Sequence, residues 1–345
     1  MNPKGRINYI RRKINRFFSR YLIHNGNTDL KFNLNISNVK KILVCRPNHR
    51  LGNNLLLLPL IKELTDIFPN AKIHLFLKGN IGDEVFENYS VVSKIIKLPR
   101  KPFKDLVNYF SCWLTIFKHN YDISINANRV SSSGKIAVKI SKSKYKFYNV
   151  FNQELSLIND YNHNAKNPIY NIRYLVKHKL DRTNNKISKI DIKLRDYEIQ
   201  NGKKILRSMF KDNKPVISIF TYATGNKCLS KNWWKTLYLK IKDFETEYNI
   251  LEILPIENIS QINFRAKSYY SNNIREIASV LNNTKLFIGA DSGMMHLAHS
   301  SNVSTLGLFN VTEKEFYGVY GDNNINIETD NTEHDSIFNT IKSMI

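Results

Sequence analysis

Leu286-Phe-Ile-Gly-Ala-Asp-Ser-Gly-Met-Met-His-Leu-Ala298 carries an apolar run directly into a helical pattern. Leu286–Ala290 has no polar side chain, as a strand covered on both faces requires, and such strands belong to parallel sheets. Asp291-Ser292-Gly293 follows at the strand's carboxyl end, where open α/β sheets bind their ligands. A helix then begins at once, with His296 in its first turn. Asp291 is expected to cap that helix, leaving Ser292 and the N–H groups around Gly293 facing outward as an anion or ribose site. An ordinary capped turn with an incidental histidine would account for Asp-Ser-Gly alone.

The same unit recurs on both sides of this stretch. Helices are predicted at 196–211, 231–243, 273–282 and 292–301, with strands at 215–220, 249–254, 285–289 and 303–309 and a last short helix at 333–345. The first half repeats the pattern, with strands at 41–45, 72–77, 94–98, 122–125 and 144–148 and helices at 54–68, 103–119 and 131–140. Strand, helix, strand at these spacings gives βαβ units and a largely parallel sheet. The polar stretch 181–189 has no apolar period and is the predicted join. The fold class is therefore α/β, with two doubly wound Rossmann-like domains facing across a cleft at 31–185 and 186–345. A length of 345 residues agrees with two domains of about 150 residues each.

Residues 1–30 stand apart. Ile7, Ile10, Ile14, Phe17, Phe18 and Tyr21 fall at helical spacing, with Arg6, Arg11, Arg12, Lys13, Arg16 and Arg20 mostly around the other side. This is a basic amphipathic helix, suited equally to an anionic membrane interface and to packing on the protein's own surface.

Two further loops follow predicted strands. Arg46-Pro-Asn-His-Arg-Leu-Gly-Asn-Asn54 lets Gly52 turn into a helix whose free N–H groups share a mouth with Arg46, His49 and Arg50. A helix capped by Asn53 or Asn54 is the plainer reading. Thr221-Tyr-Ala-Thr-Gly-Asn-Lys-Cys-Leu-Ser-Lys231 brings hydroxyls and two lysines, Lys227 and Lys231, to a helix start, a combination suited to a diphosphate. Trp233 and Trp234 read as core.

Composition narrows the partners. There are 52 Lys+Arg against 29 Asp+Glu, a formal net charge of +23 that attracts anions, although drift toward Lys, Asn and Ile accounts for much of it. No nucleic-acid module and no aromatic–basic stacking pattern accompanies that charge, so no nucleic-acid partner is expected. No apolar run approaches the ~20 residues of a membrane span, and no secretory signal is legible. Three scattered cysteines, Cys45, Cys112 and Cys228, fit a reducing, cytoplasmic setting and no metal site.

Taken together, these segments resemble glycosyltransferase family 9, the heptosyltransferase-like enzymes of lipopolysaccharide assembly. The likeness runs from about Lys41 to Asn323. It rests on Arg46, Gly52, Leu55, Leu56, Pro59 and Leu60, on Lys231-Asn232-Trp233, and above all on Asp291-Ser292-Gly293-Met294-Met295-His296-Leu297. Leu306–Phe309, Thr312 and Tyr320-Gly321 continue it. The resemblance implies a GT-B fold and an inverting, metal-independent transferase. Its donor would be a nucleoside-diphosphate sugar, typically ADP-heptose, with no cofactor. The acceptor would be a lipid-linked glycan of the lipopolysaccharide or lipooligosaccharide core, reached from the inner face of the cytoplasmic membrane. It also implies that Thr224 and Lys231 contact the diphosphate, and that Asp291, Ser292, Gly293 and His296 bind nucleotide and sugar.

The sequence departs from the family pattern where the general base is expected. The family's Gly-Asp is Gly52-Asn53 here, and an amide cannot accept a proton at neutral pH. The loop is one residue longer and contains His49, a replacement base, with Asn53 left to orient the acceptor hydroxyl. The family's Gly-Pro-Thr is Asn310-Val311-Thr312. A family member that binds nucleotide sugar or glycan without turnover is the alternative that these departures raise.

Overall fold

The computed structural model describes residues 35–182 and 184–345; the amphipathic helix expected within residues 1–30 lies outside them. The first domain opens with β1 (Lys41–Cys45), followed by α1 (Leu51–Leu55) and α2 (Leu58–Ile67). The single helix expected at 54–68 is thus two. Continuing it would require Pro59 to donate a hydrogen bond that it lacks, and its ring would meet the carbonyl of Leu55. Placed in the first turn of α2, the same proline costs nothing. Next come β2 (Lys72–Lys78), α3 (Ile81–Val85), β3 (Val92–Leu98), α4 (Leu106–Lys118), β4 (Asn120–Asn126), α5 (Ser132–Ile140), β5 (Lys142–Phe147) and α6 (Asn167–Val176). The strands form one parallel sheet in the order β3-β2-β1-β4-β5.

The second domain contains α7 (Asp196–Met209), β6 (Val216–Phe220), α8 (Lys231–Ile241), β7 (Asn249–Ile253), β8 (Lys267–Tyr269), α9 (Ile274–Asn282), β9 (Leu286–Ala290) and α10 (Gly293–Ser300). It closes with β10 (Ser304–Phe309), α11 (Lys314–Tyr317), β11 (Asn324–Glu328) and α12 (His334–Met344). Its parallel sheet runs β11-β10-β9-β6-β7-β8. Every residue of β6 and β9 is buried, as their uninterrupted apolar runs require. The sequence reading did not mark α3, α6, β8, α11 and β11. β8 has three residues, and β11 is a half-exposed Asn-Ile-Asn-Ile-Glu edge strand with little apolar signal.

Strand order reverses between β1 and β4 in one sheet and between β6 and β9 in the other. These are topological switch points, where the flanking helices diverge and leave a crevice beyond the strand ends. The loops after β1, β6 and β9 all sit at them.

Contacts between the domains are polar as well as apolar. Glu84 Oε2, on α3, accepts from the Ile274 N–H at 3.0 Å, closing the start of α9. The buried Arg275 donates to both oxygens of Glu198 (2.6 and 2.8 Å) and to the carbonyls of Glu84, Ile192 and Lys193. No helix among the described residues is long and apolar enough to cross a membrane.

Candidate active site

The start of α1 in the first domain meets the start of α10 in the second. A Cβ on Gly52 would lie 2.6 Å from His296 Cδ2, and one on Gly293 would lie 3.0 Å from Leu51 Cβ. Both glycines are there for close approach across the cleft. The first and third loops singled out in the sequence thus touch.

The first-domain wall is built on Arg46, at the end of β1. Its guanidinium is buried, with Nη2 donating to Asn53 Oδ1 at 2.6 Å and Nη1 to the Ala127 carbonyl at 3.2 Å. Nε is buried with no partner among the described residues. Burial lowers the Arg46 pKa to about 10, still charged at neutral pH. A buried cation held by neutral acceptors, with one N–H unused, is suited to an anionic ligand. Asn53 therefore spends its oxygen on Arg46. Neither Asn53 nor Asn54 caps α1: the N-cap is Arg50, without a side-chain bond, and Asn54 Nδ2 instead donates to the Arg50 carbonyl at 2.9 Å. His49 and Arg50 are exposed. Partial burial and the positive charges of Lys78, Arg100 and Arg50 lower the His49 pKa, so its imidazole is neutral at physiological pH.

The second-domain wall corrects one expectation. Ser292, not Asp291, caps α10, its Oγ accepting from the Met295 N–H at 3.3 Å. Asp291 is buried and instead ion-pairs with Lys227. The Lys227 ammonium also lies 5.5 Å over the ring of Tyr317 on α11, and Tyr317 is close enough to Arg46 to influence it electrostatically. Lys227 and Tyr317 join the site although the sequence offered two lysines in one loop and nothing to mark Tyr317. Thr224 is exposed at the start of the short turn Gly225–Lys227. Lys231 is exposed as the first residue of α8, which Ser230 caps through the Trp233 N–H. Thr221 is turned away from the cleft, donating to the buried Glu252 at 2.6 Å.

His296 sits at this contact, and two further buried histidines, His163 and His299, pack edge-on against Tyr320. Among the described residues His296 Nδ1 and His299 Nε2 have no hydrogen-bond partner, whereas His163 Nε2 donates to the Gly318 carbonyl at 2.9 Å and Nδ1 accepts from Ala165 N–H at 3.2 Å. Burial pushes His163 and His299 down to about 4, and lowers His296 as well. Each stays neutral when folded but takes up a proton in the unfolded chain below its ordinary value of 6.5. Their contribution is therefore complete above that pH and declines as pH falls toward 4, by about 1.4 kcal/mol per pH unit per histidine. The melting temperature is expected to be on the order of 10 °C lower at pH 5 than at pH 7.5. A flat profile across that interval in a thermal-unfolding series would show that these histidines are not buried neutral.

Two cavities lie away from the Gly52–His296 contact. One of about 750 Å³ lies between β5 and α6 and is lined by Phe147, Asn149 and Tyr174. Another, about 960 Å³, lies beside Lys166, His299 and Tyr320. Among the described residues no three His, Cys, Asp or Glu side chains gather as a metal site would need.

Two parallel α/β domains meeting at their switch points define the class as the GT-B type of glycosyltransferase fold. Residues 271–344, which include Asp291, Ser292, Gly293 and His296, match glycosyltransferase family 9 (heptosyltransferase), so the second domain carries the signature of the family that the sequence resembles. The fold is similar to that of a glycosyltransferase family 9 protein from Veillonella parvula, with a TM-score of 0.70 and 18% identity over 90% of this chain and 91% of that one. It is also similar to E. coli heptosyltransferase WaaC with ADP (0.64, 13%, 88% of this chain and 100% of that one). E. coli ADP-heptose lps heptosyltransferase II follows at 0.65 and 12%, over 88% of this chain and 98% of that one. No curated protein sequence is similar enough to match.

Proposed function

We propose that this protein is a glycosyltransferase that moves a sugar, heptose in the first instance, from an ADP-linked donor to the core of a lipopolysaccharide, lipooligosaccharide or related envelope glycan. The observation that carries this reading is the family match across Asp291–His296 together with the two cations, Lys227 and Arg46, on either side of the domain contact. Lys227 is paired with the buried Asp291 beside Tyr317, Arg46 keeps one buried N–H unused among the described residues, and the Cδ2 edge of His296 meets Gly52 across the domain contact. The solved relative WaaC binds ADP at the same fold. Transfer without a metal follows if these cations and the N-terminus of α10 stabilise the leaving diphosphate, the role a divalent ion would otherwise take, and inversion follows if the acceptor hydroxyl displaces it directly from the opposite face.

The acceptor approaches the first domain. Lys78, Arg50 and Arg100 surround His49, and such a cluster favours an anionic, phosphorylated glycan. His49, neutral and exposed, takes the acceptor hydroxyl proton, while Asn53 keeps Arg46 in place. The lowered pKa of His49 moves the acid limb of kcat/KM below pH 6.5, because the neutral imidazole is the active form. Purified protein given ADP-heptose and a deacylated core acceptor is expected to release ADP with transfer. His49→Ala is expected to lose that limb and roughly 10²-fold or more in turnover while keeping donor affinity. Retention of the limb in His49→Ala would give the proton to another group.

The engagement of Asn53 with Arg46 favours one second reading, a binder without turnover. If the parent binds ADP-sugar without transfer and Asn53→Asp gains transfer, that reading replaces the first.

A further inference from the structure

Helix α4 has two adjoining apolar faces, and among the described residues only one has a partner. Cys112 and Ile116 are buried against the first sheet, with Tyr109 and Trp113 packed beside them. Beside that face, Leu106, Val107, Phe110, Leu114 and Phe117 form a second stripe at helical spacing. They are 48%, 85%, 60%, 55% and 51% exposed, and Phe103, just before the helix, is 73% exposed. An apolar stripe of this extent on a folded domain marks an interaction face.

Its rim is basic. Lys101, Lys104, Lys118 and Lys142 are all exposed, and Lys142 Nζ lies 4.5 Å over the ring of Phe117. Between Lys101 and Lys118 the single acidic residue is Asp105, which caps the helix by accepting from the Asn108 N–H at 3.2 Å. A helix with large apolar side chains outward and lysines at its margins matches an anionic bilayer interface, where the side chains enter the headgroup boundary and the ammonium groups meet lipid phosphates. The same rim opposes a second copy of this chain, since pairing two such faces would set lysines against lysines.

We propose that the outer face of α4 is a membrane-docking surface for anionic lipid, separate from residues 1–30 and independent of the sugar-transfer reading. The test uses the full-length chain with vesicles of phosphatidylcholine alone and of phosphatidylcholine mixed with phosphatidylglycerol. The parent is expected to sediment with the mixed vesicles and to be released by salt. Val107→Glu/Phe110→Glu and the milder Val107→Ser/Phe110→Ser are expected to bind at least about tenfold more weakly with an unchanged melting temperature. Variants that bind like the parent would overturn the proposal, as would equal binding of the parent to neutral vesicles. A parent that is dimeric by analytical ultracentrifugation, becomes monomeric in the variants and ignores vesicles would assign the face to self-association instead. ADP binding by calorimetry, unchanged in both variants, keeps the outcome separate from that of the donor site.

Discussion

Lys227→Ala is expected to lower transfer by roughly 10²–10³-fold, the loss typical of removing one pre-oriented charge from a developing anion. The ammonium is held by the buried Asp291 carboxylate and flanked by Tyr317, so its charge faces the cleft without reorganisation. Its removal does double damage, because Asp291 is then a buried carboxylate with no cation beside it, and that charge repels a diphosphate. Donor affinity should fall with turnover, in calorimetry and in initial-rate measurements. Lys231→Ala is the internal comparison. Its side chain is exposed with no hydrogen bond or ion pair among the described residues, and it is expected to cost roughly fivefold or less, the value of one screened contact. If the order is reversed, Lys231 is the diphosphate contact that the family resemblance implies and Lys227 only orders the loop.

The largest stability effect is expected away from the site, at Glu63 on α2. Its carboxylate accepts from Arg173 at 2.9 and 2.7 Å, both residues being 2% exposed, and from Arg182 Nε at 2.9 Å. Glu63→Ala leaves the Arg173 guanidinium buried without a counter-charge, a change that costs about 3–5 kcal/mol. Arg182 lies in the stretch joining the domains, so the loss also loosens that join. Denaturant unfolding should reveal a lower midpoint, whereas Glu63→Gln, which keeps two hydrogen-bond acceptors' worth of shape but one oxygen, should lose less. An unchanged midpoint in Glu63→Ala would mean that water reaches Arg173.

Much of the architecture was legible because buried parallel strands and their crossover helices leave strong local patterns. Lys41–Cys45, Val216–Phe220 and Leu286–Ala290 are unbroken apolar runs, and each strand emerged within a residue or so of its expected place. Elements with weaker signals were lost for physical reasons. β11 alternates Asn and Ile at an exposed sheet edge, and α11 has four residues, too few to display a period. The capping of α10 was misassigned because Asp and Ser are both good N-caps, and local preference cannot choose between neighbours. The ion pair with Lys227, sixty-four positions away, chooses by claiming Asp291.

The sequence by itself determined the two α/β domains, the strand-end loops and the Asp-Ser-Gly-Met-Met-His motif at a strand-to-helix turn, because each depends on the order of residues within a dozen positions. Only the tertiary structure decided which lysine of one loop meets Asp291, that Asn53 holds Arg46, that Gly52 is small for His296 and Gly293 for Leu51, and that the described residues leave one face of α4 uncovered. All four depend on groups far apart in the chain being brought into contact or kept from it, and local pattern carries no record of that.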